Sequence, residues 1–173
     1  MKILAFAASS SRKSINKQLV SYAAGLLPDA EIDVLDLNDY EMPIFSEDKE
    51  NATGIPVLAQ QFFNKISQCD ALLISFAEHN GSYSAAYKNL FDWCSRINAK
   101  VYQGKKAVML ATSPGPGGAS SVLAAATGSA VYFAADLRAS LSIPSFYECF
   151  DTDKGCLKDA ALDKQLQAVM ARL

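Results

Sequence analysis

The sequence has few of the residues that build metal sites and disulfide frameworks. Its 173 residues include one histidine and four cysteines, Cys69, Cys94, Cys149 and Cys156, none of which forms a C-x-x-C pair. Because a zinc site requires clustered cysteine and histidine ligands, we expect no metal site. This spacing is typical of reduced thiols in a cytosolic protein, so we expect a cytoplasmic location.

Long apolar runs and an excess of charge of one sign are also lacking. No apolar run approaches the roughly 18 residues of a membrane span, and the run that follows Lys2 is too short for a signal peptide. The formal net charge is -2, without the basic excess that nucleic acid or an anionic membrane would attract. We therefore expect neither nucleic acid nor a membrane as a partner.

Apolar segments alternate with segments of helical periodicity along the whole chain. The predicted strands are residues 2–8, 31–37, 71–77, 105–112 and 138–145. The predicted helices are residues 15–27, 55–68, 82–97, 120–135 and 162–173. Residues 38–54 are polar and predict a long loop.

This alternation predicts an α/β protein with a five-stranded parallel sheet and helices on both faces. Without linkers or repeats, the chain is expected to form a single domain over residues 1–173. In such sheets ligands bind beyond the carboxyl ends of the strands, where the strand order switches. Functional residues are therefore expected in the loops after the first, third and fourth strands.

The first of these loops, "SSSRKSIN" over residues 9–16, is rich in hydroxyl groups. It contains no glycine, which argues against the G-x-G-x-x-G loop of dinucleotide-binding folds. Short donors at Ser9, Ser10, Ser11 and Ser14, with the amide of Asn16 and a helix N-terminus, suit a phosphate monoester. The alternative is a simple helix cap, which would need only one serine. We favour a phosphate site.

The second loop, "FAEHNGSYS" over residues 76–84, contains the single histidine. Asn80 and Gly81 tolerate left-handed backbone conformations and predict a sharp turn. His79 is a candidate ligand contact, but a general base would need a partner that the sequence does not supply. Glu78 is either a ligand contact or a solvated loop carboxylate.

The third loop, "TSPGPGGAS" over residues 112–120, combines three glycines with two prolines. These residues predict a rigid turn with little side-chain bulk, against which a flat ring could lie. The alternative is a rigid turn that only precedes a capped helix.

Together the three loops resemble those of the NADPH-dependent FMN reductase family, which has a flavodoxin-like fold. "SSSRKSIN" is similar to the family pattern G-S-x-R-x-x-S-x-N, and "SPGPGG" is similar to S-x-G-x-x-G-G. "AEHNGSYSAAYKNLFDW" resembles P-E-Y-N-G-S followed by L-K-N-x-x-D-W. The resemblance covers nearly the whole chain and implies a three-layer sandwich with strand order 2-1-3-4-5.

The resemblance also implies an activity. A member of this family would pass a hydride from NADPH or NADH to bound FMN, and then electrons to a quinone, free flavin, azo compound or metal oxyanion. Because the flavin carries the chemistry, no catalytic side chain is expected, and His79 is a candidate substrate contact. The alternatives are a flavodoxin-type FMN electron carrier and a flavin-free module on the same fold. Residues 38–54 and the small-residue helix from Gly117 would make a homodimer or homotetramer.

By the same resemblance, FMN-binding residues lie in all three loops. They are Ser9, Ser11, Arg12, Ser14, Ile15 and Asn16 at the phosphate, and Glu78, His79, Asn80, Gly81, Ser82, Ser113, Pro114, Gly115, Gly117 and Gly118 around the ring. The sequence departs from the family at Ala77, usually proline, and at His79, usually tyrosine. The arginine usual after the third loop is absent, which leaves the preference between NADPH and NADH open.

Overall fold

The apolar runs of the sequence form the middle of a parallel sheet. In the computed structural model, which describes residues 1–173, the five strands are β1 (Lys2–Ala8), β2 (Glu31–Leu35), β3 (Ala71–Phe76), β4 (Lys106–Thr112) and β5 (Asp136–Ile143). They are all parallel and lie in the order β2-β1-β3-β4-β5. The predicted flavodoxin-like order 2-1-3-4-5 is confirmed.

Helices cover both faces of this sheet. They are α1 (Ile15–Gly25), α2 (Glu47–Thr53), α3 (Val57–Ser67), α4 (Ala85–Ile97), α5 (Ser120–Ser129), α6 (Phe146–Cys149) and α7 (Ala160–Met170). A core of 24 buried residues joins α3, α4 and α5 to one face, and a core of 17 joins α1, α6 and α7 to the other. The structure is therefore the predicted three-layer sandwich. No helix in it is both long enough and apolar enough to span a membrane.

Several boundaries differ from the sequence prediction. Residues 38–54 are not one long loop, because they include most of a 3-10 turn at Leu37–Tyr40 and all of α2. The helix predicted to start at residue 82 starts at Ala85, since residues 78–83 form a small antiparallel hairpin. The alanine-rich helix ends at Ser129 and continues as a 3-10 turn. A second small hairpin, residues 150–157, was not predicted.

The "YKNLFDW" motif on α4 has a structural role. The side chain of Asn89 accepts a hydrogen bond from the Phe45 amide at 2.8 Å and donates to the Pro43 carbonyl at 3.1 Å. The indole N–H of Trp93 donates to the same carbonyl at 2.8 Å. These bonds hold the segment after β2 against α4, and Met42 and Ile44 of that segment line a surface pocket together with Ser10 of the first loop.

Candidate functional site

One cleft collects all three predicted loops. It has a volume of about 230 Å³ and lies at the carboxyl ends of β1, β3 and β4, where the strand order switches. Its lining residues are Ser9, Ser11, Lys13, Ser14, Ile15, Asn16, Ala77, Glu78, His79, Thr112, Ser113, Pro114 and Tyr147. Nine of the predicted site residues are among them, whereas Arg12, Asn80, Gly81, Ser82, Gly115, Gly117 and Gly118 lie outside this lining.

The first loop presents free hydroxyl groups at the start of a helix. Ser14 caps α1 by accepting a hydrogen bond from the Lys17 amide at 3.2 Å, as the capping alternative predicted. Ser9 accepts from the Ser11 amide at 3.2 Å. Both serines accept in these bonds, so their own hydroxyl hydrogens, like that of Ser11, stay available to a ligand. The first turn of α1 carries no acidic residue, which leaves its positive end open to an anion.

The basic residue at this end of the cleft is Lys13, not Arg12. The turn that precedes α1 is tight, because the Ser14 amide donates to the Ser11 carbonyl at 3.1 Å. Lys13 lines the cleft, whereas Arg12 is exposed outside it. Neither forms a salt bridge with a carboxylate. The structure therefore adds Lys13 as a second basic candidate for the phosphate beside Arg12, whose predicted contact stays a prediction.

Asn16 is a buried bridge between three elements. Its Oδ1 accepts hydrogen bonds from the Ser75 hydroxyl at 2.7 Å and from the Thr112 amide at 3.1 Å. Its Nδ2 donates to the Thr112 carbonyl at 3.1 Å. These bonds tie the start of α1 to the ends of β3 and β4 and leave only the second Nδ2 hydrogen for a ligand.

The second loop is the hairpin Glu78–Tyr83, which turns at Asn80 and Gly81. Their φ angles are 52° and 77°, and His79 pairs with Ser82 across the turn. This is the left-handed pair of conformations that the sequence predicted, and Asn-Gly is the preferred sequence for such a two-residue turn. His79 is exposed and lines the cleft, and its imidazole has no hydrogen-bond partner in the chain, so nothing in the structure prepares it as a general base.

Two side chains fasten this hairpin to its surroundings. The Glu78 carboxylate accepts a hydrogen bond from the Val122 amide, in the first turn of α5, at 2.8 Å. The buried hydroxyl of Ser84 donates to the carbonyl of Ala8, the last residue of β1, at 2.8 Å. Glu78 is therefore not the solvated loop carboxylate that we considered from the sequence.

The glycines of the third loop differ in whether the packing of the chain requires them. Gly118 has a φ of +59°, and a Cβ there would lie 2.3 Å from the Ser142 hydroxyl oxygen, so packing against β5 requires glycine. A Cβ at Gly115 or Gly117 would meet no atom of the chain within 4 Å. The packing of the chain does not explain these two glycines, whereas the close approach of a ligand would.

The sequence prediction missed Tyr147. This residue lies on α6, is 59% exposed and lines the cleft. It is brought there because the Phe146 amide donates to the Ser113 carbonyl at 3.0 Å and the Ser145 amide to the Gly115 carbonyl at 2.9 Å. Its position after the last strand was the only sequence signal that could have pointed to it.

The strand order and the helix layers define a flavodoxin-like α/β protein. Residues 1–147 match the model of the NADPH-dependent FMN reductase family. The chain belongs to this family.

Curated relatives agree with this assignment. The chain is 33% identical over 116 residues to an NAD(P)H-dependent FMN reductase of Pseudomonas aeruginosa, and 30% identical over 125 residues to an NADPH:quinone oxidoreductase of Arabidopsis thaliana. The matches include 66% and 70% of this chain and span only 61% and 62% of the relatives' own lengths.

Solved structures show the same fold over the whole chain. The flavoenzyme NAD(P)H:(acceptor) oxidoreductase FerB from Paracoccus denitrificans superposes with a TM-score of 0.81 at 24% identity, covering 98% of this chain and 93% of that one. The azoreductase AzrA superposes with a TM-score of 0.69 at 14% identity, covering 100% of both chains.

Proposed function

We propose that this protein is an NAD(P)H-dependent FMN oxidoreductase of the quinone and flavin reductase type. The observation that carries the proposal is the first loop, where Ser9, Ser11 and Ser14 keep free hydroxyl hydrogens beside Lys13 and a helix N-terminus without acidic residues. This set of donors fits a phosphate dianion. Membership of the FMN reductase family points to FMN as its bearer.

The first loop would bind the phosphate of FMN, and the second and third loops would bind its ring. Ser9, Ser11, Ser14 and Lys13 would hold the phosphate, with the remaining predicted residues of the first loop around it. The Glu78–Tyr83 hairpin and the third loop, which we call the glycine loop (residues 112–120), would flank the ring. Gly115 and Gly117 leave room for its close approach.

The redox chemistry needs no side chain of the protein. When bound, FMN supplies hydride acceptance from NADPH or NADH and electron transfer to an acceptor. The protein would position the ring and leave one side open to small molecules such as quinones, free flavin, azo compounds or metal oxyanions. His79, exposed beside the cleft, is the proposed substrate contact. The relatives described above are named reductases and oxidoreductases, which favours the enzyme over the flavodoxin-type carrier.

The test is binding followed by reduction. The purified protein is titrated with FMN and, as the matched control, with riboflavin, which lacks the phosphate. We expect riboflavin to bind at least about tenfold more weakly, because a charge-assisted hydrogen bond contributes about 1.5–3 kcal/mol. The FMN-loaded protein is then mixed anaerobically with NADPH or NADH, and the visible absorbance of the flavin should bleach and return when a quinone is added.

Other results would contradict parts of this proposal. A bound flavin that stays yellow with both nucleotides would indicate an electron carrier. Equal affinity for FMN and riboflavin would show that the first loop does not bind the phosphate. If the protein binds neither compound, the proposed FMN oxidoreductase function is wrong.

We further propose that the protein is cytoplasmic and forms a homodimer or homotetramer. Two segments that the sequence singled out as interface candidates carry exposed apolar side chains. Ile44 is 65% exposed in the segment after β2, and Val131 and Tyr132 are 71% and 80% exposed at the end of the alanine-rich helix. These three side chains are the proposed contacts of the association surface.

A further inference from the structure

Helix α5 begins without a cap of its own. Its capping position is Ala119, which has a φ of 59° and cannot accept a hydrogen bond through its side chain, and no acidic residue lies in its first turn. The first four N–H groups of a helix have no partner within the helix, and a nearby side chain usually accepts one of them. At α5 the acceptor has to come from elsewhere in the chain.

Glu78 supplies this acceptor from 44 residues away. Its Oε2 lies 2.8 Å from the amide nitrogen of Val122, the third residue of α5. The interaction places a negative charge at the positive end of the helix, where a carboxylate is favourable.

This bond joins the second loop to the helix that follows the third loop. Glu78 lines the cleft and pairs with Tyr83 in the hairpin, and α5 packs against the second strand of that hairpin. On its other side, α5 follows directly after the glycine loop that ends at Gly118. One carboxylate therefore connects the two loops between which the flavin ring is proposed to lie.

We propose that Glu78 is a positioning residue for the flavin and not a flavin contact. Its hydrogen bond fixes the hairpin relative to the glycine loop, and its charge offsets the partial positive charge at the start of α5. This inference rests on the proposed FMN function. If the bond is lost, the walls loosen and FMN binds more weakly. If only the charge is lost, the cleft becomes more positive, which favours the more negative, reduced flavin and raises its reduction potential.

The test compares Glu78→Ala and Glu78→Gln with Asp159→Ala. Asp159 is a matched control, because its Oδ1 caps α7 by accepting from the Ala161 and Leu162 amides at 2.9 and 3.0 Å, and it does not line the cleft. Both alanine variants should lose stability in urea unfolding. Only Glu78→Ala should bind FMN about tenfold more weakly, which corresponds to about 1.4 kcal/mol.

Glu78→Gln separates the two effects. Glutamine keeps an acceptor oxygen for the Val122 amide but carries no charge, so FMN affinity should stay near that of the wild type while the midpoint potential rises. If Glu78→Gln loses as much affinity as Glu78→Ala, the acceptor bond to Val122 does not account for the loss and the positioning role is wrong. If Glu78→Ala matches Asp159→Ala in having wild-type affinity and potential, Glu78 is only a helix cap.

A readout without flavin keeps this inference separate from the proposed function. In the flavin-free proteins, amide hydrogen exchange at Val122 and in residues 78–83 should accelerate in Glu78→Ala and not in Asp159→Ala. Unchanged exchange would show that the bond does not hold the hairpin. If the wild-type protein fails to bind FMN, the proposed function and the role of Glu78 toward the flavin are both wrong. Faster exchange in Glu78→Ala would still show that the Glu78–Val122 bond holds the hairpin.

Discussion

At the scale of single residues, Ser11 and Asn16 of the first loop lie in different surroundings. Ser11 is exposed at the cleft with a free hydroxyl, whereas Asn16 is buried and holds three hydrogen bonds to Ser75 and Thr112. The sequence could not show this difference, because the partners of Asn16 lie 59 and 96 residues away.

Asn16→Ala should therefore act mainly on stability. It removes three buried hydrogen bonds and leaves polar groups of Ser75 and Thr112 unsatisfied, so we expect a loss of about 2–4 kcal/mol in the free energy of unfolding. Urea unfolding of the flavin-free protein measures it.

Ser11→Ala is the matched variant. As a surface change it should alter stability by less than about 0.5 kcal/mol, and it should weaken FMN binding by roughly tenfold, because it removes one donor to a charged group. If Asn16→Ala is as stable as the wild type, the structural role of Asn16 is wrong. If Ser11→Ala binds FMN as the wild type does, Ser11 does not contact the phosphate.

At the scale of elements, the five strands and the longer helices were predictable, whereas α2 and the two small hairpins were not. β1, β3 and β4 are fully or almost fully buried and appear as continuous apolar runs. α2 has no buried residue, so it leaves no apolar periodicity in the sequence. The hairpin strands have two residues each, too few for any alternation to be visible.

The packing of the glycine loop against β5 can be tested at Gly118. Gly118→Ala should destabilise the protein by about 2–3 kcal/mol, because its left-handed backbone disfavours a side chain and the new Cβ would collide with Ser142 on β5. Thermal or urea unfolding measures this loss.

Gly115→Ala is the control in the same loop. Its Cβ would meet no atom of the chain within 4 Å, so stability should be preserved while FMN affinity falls. If Gly115→Ala binds FMN as the wild type does, the ring does not approach the backbone at this position.

At the scale of the whole molecule, the sheet carries a core on each face and the cleft at the carboxyl ends of its three inner strands. The alternation of apolar runs and helices was sufficient to predict this layout and the location of the cleft. Which basic residue of the first loop lines the cleft, Lys13 or Arg12, depends on the local turn before α1, which leaves no readable pattern in the sequence.

Association should be visible in sedimentation at micromolar concentration. We expect the wild-type protein to sediment as a dimer or tetramer, and either Tyr132→Asp or Ile44→Asp to shift it toward the monomer, since a charge in an apolar contact is unfavourable. The variant that shifts identifies the interface. A monomeric wild type, or two variants that sediment unchanged, would contradict the proposed association through these segments.

The bonds between the loops also bear on whether the protein folds before or after it binds its ligand. Asn16, Glu78 and Ser84 fix all three walls of the cleft with contacts made by the chain itself. The conformational entropy of these loops is then lost when the polypeptide folds, and little remains to be lost when a ligand enters. Such a chain can fold completely before a ligand arrives, so that under the proposed function flavin supply would govern how much of the protein is active and not how much of it is folded.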